Sequence, residues 1–263
     1  MDLASLLETT ERAARTGGDL VREADHLTPA GVKGAGDYVT AVDHASERAI
    51  AEVLTAADPC IPVVGEEGGG EGGDRYWLVD PLDGTTNFLH GFPLVGVSIA
   101  LIERGRPVIG VVHAPFQGKT YSAVRGAGAT FATDSGTSPL RVSSRPPEEA
   151  IVATGFPFRK KSLISKHLEA LRLCLERFED IRRPGAASLD LAWVAAGAFE
   201  GFFELNLSSW DVAAGALLVE EAGGVVSDWG GGPGYLSGDI LAGSPAVHTQ
   251  LAEIARRVEA TGA

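Results

Sequence analysis

Apolar side chains recur at helical spacing over residues 3–22, with Leu3, Leu6, Leu7 and Ala14 on one stripe, and this predicts an opening helix. A second helix is expected over 43–56, with Thr40 and Asp43 as capping candidates. The pattern then turns β-like. Short runs at 61–64 and 76–79 are separated by the tract GEEGGGEGGD, whose glycines at 68–73 suggest a mobile loop. Further strands are expected at 93–102, 107–113 and 119–124, followed by a helix at 163–178 and a short strand around Ile181. Helices at 188–199 and 210–222 flank a strand at 201–205, and strands at 225–228 and 239–242 lead into a closing helix at 247–258. A meander followed by alternating helix and strand predicts layered α/β structure in two subdomains, about 1–145 and 146–263.

Composition narrows the functional classes. The 263 residues are 44% hydrophobic, enough for a sizeable core, and 22% charged, which excludes overall disorder. Asp and Glu outnumber Lys and Arg by 35 to 22, for a net charge of −13. A field of that sign repels polyanions, so neither nucleic acid nor a membrane surface is expected as a partner. A small anionic substrate remains compatible where bound cations reverse the potential locally. Cys60 and Cys174 form no C-x-x-C pair and read as small core hydrophobes in a reducing, cytoplasmic setting. No signal-peptide pattern is visible, and the apolar run at 94–102 is far short of a bilayer span.

The candidate chemistry lies in carboxylates. In WLVDPLDGTTNF an apolar strand delivers Asp80 to its end, Pro81 turns the chain, and Asp83 follows three residues after Asp80. Such a turn brings both carboxylates to one side, with the Leu82 carbonyl as a neutral oxygen ligand. Gly84 removes a Cβ where a substrate approaches the backbone, and the Gly84 and Thr85 amides suit an anion. Two carboxylates about 4 Å apart repel by roughly 1 kcal/mol in water and roughly 4 kcal/mol at an effective dielectric of 20. Hard cations relieve that cost, and all-oxygen ligation favours Mg²⁺ or Mn²⁺. Taken alone, DPLDG suits a surface turn equally well. Glu66-Glu67 after IPVVG, and Asp211 in the first turn of WDVAAGALLVEEAGG, have equally plain readings as loop charge and helix-dipole chemistry. Three such features in one chain favour a shared site.

These segments, in this order, resemble the inositol monophosphatase family of Mg²⁺-dependent, lithium-sensitive phosphatases. DYVTAVDHASE and GAASLDLAWVAAGAFEGFFE extend the resemblance over nearly the whole chain. It implies a five-layer αβαβα sandwich of the inositol monophosphatase and fructose-1,6-bisphosphatase type, commonly a homodimer. It further implies that Glu66, Asp80 and the Leu82 carbonyl hold one metal, and that Asp80, Asp83 and Asp211 hold a second. Glu66 and Thr85 would orient the attacking water, and Asp83, Gly84, Thr85, Ala187 and Glu204 would contact the substrate. Glu204 matches the acid that accepts a polyol hydroxyl bond in inositol-type members. Members selective for histidinol phosphate carry a basic residue where this chain has Thr86, so the resemblance leans towards an inositol or sugar monophosphate. Fructose 1,6-bisphosphate, histidinol phosphate and adenosine 3′,5′-bisphosphate are alternatives on the same metal core. A regulatory or interaction protein with a vestigial site is the alternative of another class.

Overall fold

The opening helix α1 (Leu3–Glu23) is capped by Asp2, whose carboxylate accepts from the Ser5 amide at 2.8 Å. Its buried positions Leu6, Ala13, Ala14, Gly17 and Val21 keep the helical stripe read from the sequence. Helix α2 (Ala41–Ala57) starts two residues before the expected boundary because Thr40, not Asp43, is its N-cap; Asp43 closes a capping box on Thr40. A Cβ at Gly17 would lie 2.6 Å from Ser46 Oγ, so this glycine lets α1 and α2 pack closely. The computed structural model describes residues 2–25, 31–34 and 37–262, with the side chains of 32–34, 37 and 38 outside that description.

Seven strands form the larger sheet: β3 (Val63–Gly65), β4 (Arg75–Asp83), β5 (Gly96–Glu103), β6 (Arg106–Ala114), β7 (Lys119–Val124), β8 (Gly128–Thr133) and β9 (Gly136–Pro139). They lie in chain order, with β3 parallel to β4 and every later pair antiparallel. Along β5, Ile99 and Leu101 enter the core beneath α1 and α2, whereas Ala100 and Ile102 enter the core on the opposite face. Burial on both faces explains why this strand reads as a continuous apolar run rather than as an alternation. A hairpin of β1 (Gly31–Gly34) and β2 (Asp37–Val39) precedes α2.

The second sheet comprises β10 (Ile151–Thr154), β11 (Asp180–Arg182), β12 (Gly201–Glu204), β13 (Val225–Asp228) and β14 (Ile240–Gly243), in the order β11-β10-β12-β14-β13. Between the sheets lie α5 (Ala187–Ala195) and α6 (Ser209–Glu221), which are buried on nearly every side. A Cβ at Gly110 of β6 would lie 2.8 Å from the Ala214 carbonyl oxygen, so α6 rests almost on the strand backbone. The outer layer on the second sheet is α4 (Ile164–Arg177) with α7 (Pro245–Thr261), packed on Val152, Phe203 and Leu241. The layers therefore run α1α2, seven strands, α5α6, five strands, α4α7, which is the αβαβα sandwich that the family resemblance implies. Among the described residues no helix is long and apolar enough to cross a membrane.

Several local expectations are corrected. The strand before DPLDG does not end at Asp80: β4 runs on to Asp83 through a register shift opposite β5, so a bulge rather than a terminal turn presents the two acids. Cys174 is buried as expected, but Cys60 is exposed on the turn after α2. Glu220 and Glu221, unfavourably placed at the C-terminal end of α6, have compensating partners. Arg125 bonds Glu220 at 2.8 Å, and the Gly126 and Gly128 amides donate to Glu221 at 2.8 and 2.9 Å. The glycine tract is tied at its start, where the Glu67 and Gly68 amides donate to the Glu47 carboxylate at 2.8 and 2.6 Å.

Candidate active site

The bulge in β4 gives Asp80 and Asp83 their common direction. Asp80 Oδ1 accepts from the Leu82 amide at 3.0 Å, which folds the DPLD backbone around the carboxylate. Asp83 Oδ2 accepts from the Ser188 amide at 2.7 Å and from the Ser188 hydroxyl at 2.6 Å. Helix α5 has no side-chain cap of its own, so Asp83 caps it from a distant part of the chain. Asp211 enters from α6, where the Ser208 amide donates to its Oδ2 at 2.7 Å. One carboxylate oxygen from each of Asp80, Asp83 and Asp211 lies within 4.8 Å of the others.

Three acids this close raise one another's proton affinity. Burial lifts Asp80 well above the ordinary carboxylate value, and the charges of Glu66, Asp83 and Asp211 add to it. Burial also raises Asp83, against the bonds from Ser188. Asp211 is pushed up to about 7 by burial and then by the charge of Asp83, with the Ser208 amide opposing. The residues thus fit a hard divalent cation: the donors are all oxygen, buried and converging, and their mutual repulsion is what such an ion relieves.

A cavity of about 570 Å³ opens over this triad, and all the residues expected at the site lie on its wall: Glu66, Asp80, Leu82, Asp83, Gly84, Thr85, Ala187, Glu204 and Asp211. Glu66 follows β3, where its amide bonds the Val79 carbonyl at 3.1 Å and so fixes it beside β4. Gly84 adopts φ +92°, and a Cβ there would meet Leu94 O at 3.1 Å and Ala186 Cβ at 3.3 Å, so backbone conformation and packing both favour a glycine. A short helix, α3 (Thr85–Leu89), starts immediately afterwards. Glu204 ends β12 as a buried acid, 9% exposed, rather than a surface charge. Burial, then the charge of Asp211, pushes it up to about 8, with Arg183 and Arg159 opposing.

Sequence reasoning missed several neighbours. Asp43, read only as a cap, accepts from Thr85 Oγ1 at 3.3 Å while its other oxygen holds Thr40. Thr85 Oγ1 also lies 3.1 Å from the Leu82 carbonyl oxygen, so the hydroxyl is fixed between two acceptors. The D-x-V-T-x-x-D segment was the available signal. Ser188 and the buried Asp190 sit in GAASLD; burial and the charges of Glu204 and Asp83 raise Asp190 well above the usual range. Arg159, Lys161 and Arg183 line the outer cavity without any motif to announce them. Trp210 packs against the inter-sheet core. His26 and the Lys33 side chain lie outside the described residues.

Comparison with known proteins finds relatives along nearly the whole chain. The model of the inositol monophosphatase family matches residues 2–260. A curated relative from Pseudomonas aeruginosa, Nus factor SuhB, is 46% identical over 251 residues, covering 91% of each chain. Among solved structures, the extragenic suppressor protein suhB from Bartonella henselae superposes with a TM-score of 0.89 at 38% identity, over 96% of this chain and 99% of that one. An inositol monophosphatase from Anabaena superposes with a TM-score of 0.86 at 31% identity, over 98% and 97%.

Proposed function

Since the chain belongs to the inositol monophosphatase family, we propose that it is a Mg²⁺-dependent phosphomonoesterase acting on inositol monophosphate or a similar small sugar phosphate. The observation that carries this reading is the convergence of Asp80, Asp83 and Asp211 within 4.8 Å on the floor of a cavity that also holds Glu66 and Thr85. Glu66, Asp80 and the Leu82 carbonyl would hold one ion, and Asp80, Asp83 and Asp211 a second. Bound there, the ions supply Lewis acidity and charge neutralisation for a hydrolysis that is among the slowest uncatalysed reactions known. The chain's own groups do the rest. Thr85 Oγ1, held by Asp43, accepts a proton bond from the attacking water and aims it, with Glu66 on the other side. The Gly84 and Thr85 amides stand at the start of α3 on the phosphate side of the cavity. Glu204 and the Ala187 backbone receive the polyol. Ser188 holds Asp83 so that it does not turn away between turnovers. Lithium inhibition and a homodimer, checked by inhibition kinetics and sedimentation, belong to the same reading.

A second reading rests on the name of the curated relative, Nus factor SuhB: a regulatory or interaction protein whose phosphatase site is vestigial. Phosphate release in Mg²⁺, compared for inositol 1-phosphate, fructose 1,6-bisphosphate, histidinol phosphate and adenosine 3′,5′-bisphosphate, separates the two. Release from the inositol or a sugar ester is expected; release from none of the four would favour the regulatory reading.

A further inference from the structure

Among the described residues, two besides glycines have a positive φ: Arg104 at +48° and Asn206 at +64°. Arg104 stands with Gly105 in the two-residue turn between β5 and β6, where a tight hairpin asks for that conformation. Asn206 belongs to no hairpin. It lies between β12 and α6, two residues after Glu204 and five before Asp211, on the wall of the cavity. Building on the phosphatase reading, we propose that Asn206 determines specificity: its carboxamide hydrogen-bonds a hydroxyl next to the one received by Glu204, so that the site selects phosphate esters carrying a vicinal diol.

The fold pins this residue from both sides. Leu205 is buried in the core beneath α4 and α7, and Leu207 packs against the inter-sheet core. Asn206 belongs to neither core and is half-buried. Its backbone amide donates to Asp239 Oδ1 at 2.8 Å, and the Leu207 amide donates to the Gly238 carbonyl at 3.0 Å. Gly238, at φ +98°, permits that approach, since a Cβ there would collide with the Leu207 carbonyl. These bonds hold Asn206 in a conformation that an L side chain adopts at a steric cost and that glycine adopts freely.

What asparagine adds over glycine here is the carboxamide. Among the described residues that group has no hydrogen-bond partner, and it is not sealed from solvent. Beside the Glu204 carboxylate it completes an acceptor and donor pair. Glu204 accepts from one hydroxyl, and Asn206 Nδ2 donates to the oxygen of its neighbour. A site built to bond a hydroxyl rejects an analogue without it, because the polar groups of the site are then left unpaired. If Asn206 served only to shape the turn, glycine would replace it without altering substrate preference.

The test uses inositol 1-phosphate and cyclohexyl phosphate, which share a ring and a phosphate ester but differ in every hydroxyl. With Mg²⁺ the intact protein is expected to prefer the inositol ester by about 25-fold in KM, about fivefold from each of two hydroxyl bonds. In Asn206→Gly the preference should fall to about fivefold, because the inositol ester loses a bond that cyclohexyl phosphate never makes. The ratio is taken within one protein, so a change in folded fraction cancels. Inositol 1-phosphates lacking a single hydroxyl separate a direct bond from a displaced Glu204. One of them should be insensitive to Asn206→Gly, and its neighbour on the ring insensitive to Glu204→Gln. Calorimetric binding of the same esters in Ca²⁺ reads the same ratios without turnover, so a lack of hydrolysis alone would sink the phosphatase reading and leave this one standing. Equal affinity of the intact protein for both esters, a preference that survives Asn206→Gly, or a single ring position answering to both residues would overturn the proposal.

Discussion

Asp83 is asked to do two things at once. Its Oδ2 caps α5 through Ser188, and its position among Asp80 and Asp211 makes it a candidate metal ligand. The two roles separate chemically. The cap needs only an acceptor, whereas the ligand role needs a charge and a fixed direction, which the Ser188 hydroxyl provides. Ser188→Ala keeps the amide bond and removes the 2.6 Å hydroxyl bond. We expect Mg²⁺-dependent turnover to fall about 10- to 100-fold. The circular dichroism spectrum should stay unchanged, and wild-type turnover in this variant would show that the hydroxyl does not position the carboxylate. The acids themselves were legible in the sequence because a strand-end D-P-x-D-G, an acid pair and a first-turn Asp are local patterns. Asp43 was legible only as a cap, since its contact with Thr85 joins residues 42 positions apart.

At the scale of elements, the stack Phe203–His167–Phe156 joins α4 to the cavity wall. His167 is buried, neither ring nitrogen has a hydrogen-bond partner among the described residues, and burial pushes its pKa down to about 4. The neutral ring is therefore favoured in the fold, while the unfolded chain takes up a proton below about 6.5. The stability this histidine contributes is present above pH 6.5 and is lost as pH falls towards 4. His113, also lowered to about 4 mainly by burial, acts in the same window. His167→Phe keeps the stack and removes the titration, so thermal melts from pH 7 to 4.5 should fall less steeply than in the wild type, by about 1–2 kcal/mol across the window. Parallel curves would contradict this account of His167. Most elements were legible because their apolar periods are long. The missed ones lack that signal: β1, β2 and β10 have three or four residues, α3 has five, β8 buries a single residue, and β9 is exposed throughout. Strand β4 read short because a proline and two acids disguise its buried final residues.

For the whole molecule, five layers bring a carboxylate from the second half of the chain, on α6, against two from a strand of the larger sheet. The site exists only when the layers are assembled, so an ion bound there stabilises the fold as a whole. Saturating Mg²⁺ is expected to raise the melting temperature by about 5 °C or more for a chain of this size, reversibly with chelator. An unmoved melting temperature would count against a preformed ion site. The layered architecture was readable from alternation of elements and from family resemblance, whereas the basic outer rim was not. Its two segments are separate in sequence and meet only when the Arg183 guanidinium packs on the Phe156 and Phe158 rings.

The central claim is that the carboxylate triad works as an ion site for phosphate ester hydrolysis. Its most direct test is phosphate release from inositol 1-phosphate as a function of Mg²⁺ concentration, in the wild type and in Asp83→Asn. Asparagine preserves an acceptor for Ser188 and removes the ligand charge. Mg²⁺-dependent release by the wild type, and a loss of about 10³-fold or more in a variant that melts normally, is the result predicted. Release that needs no divalent ion, or that survives in Asp83→Asn, would contradict it.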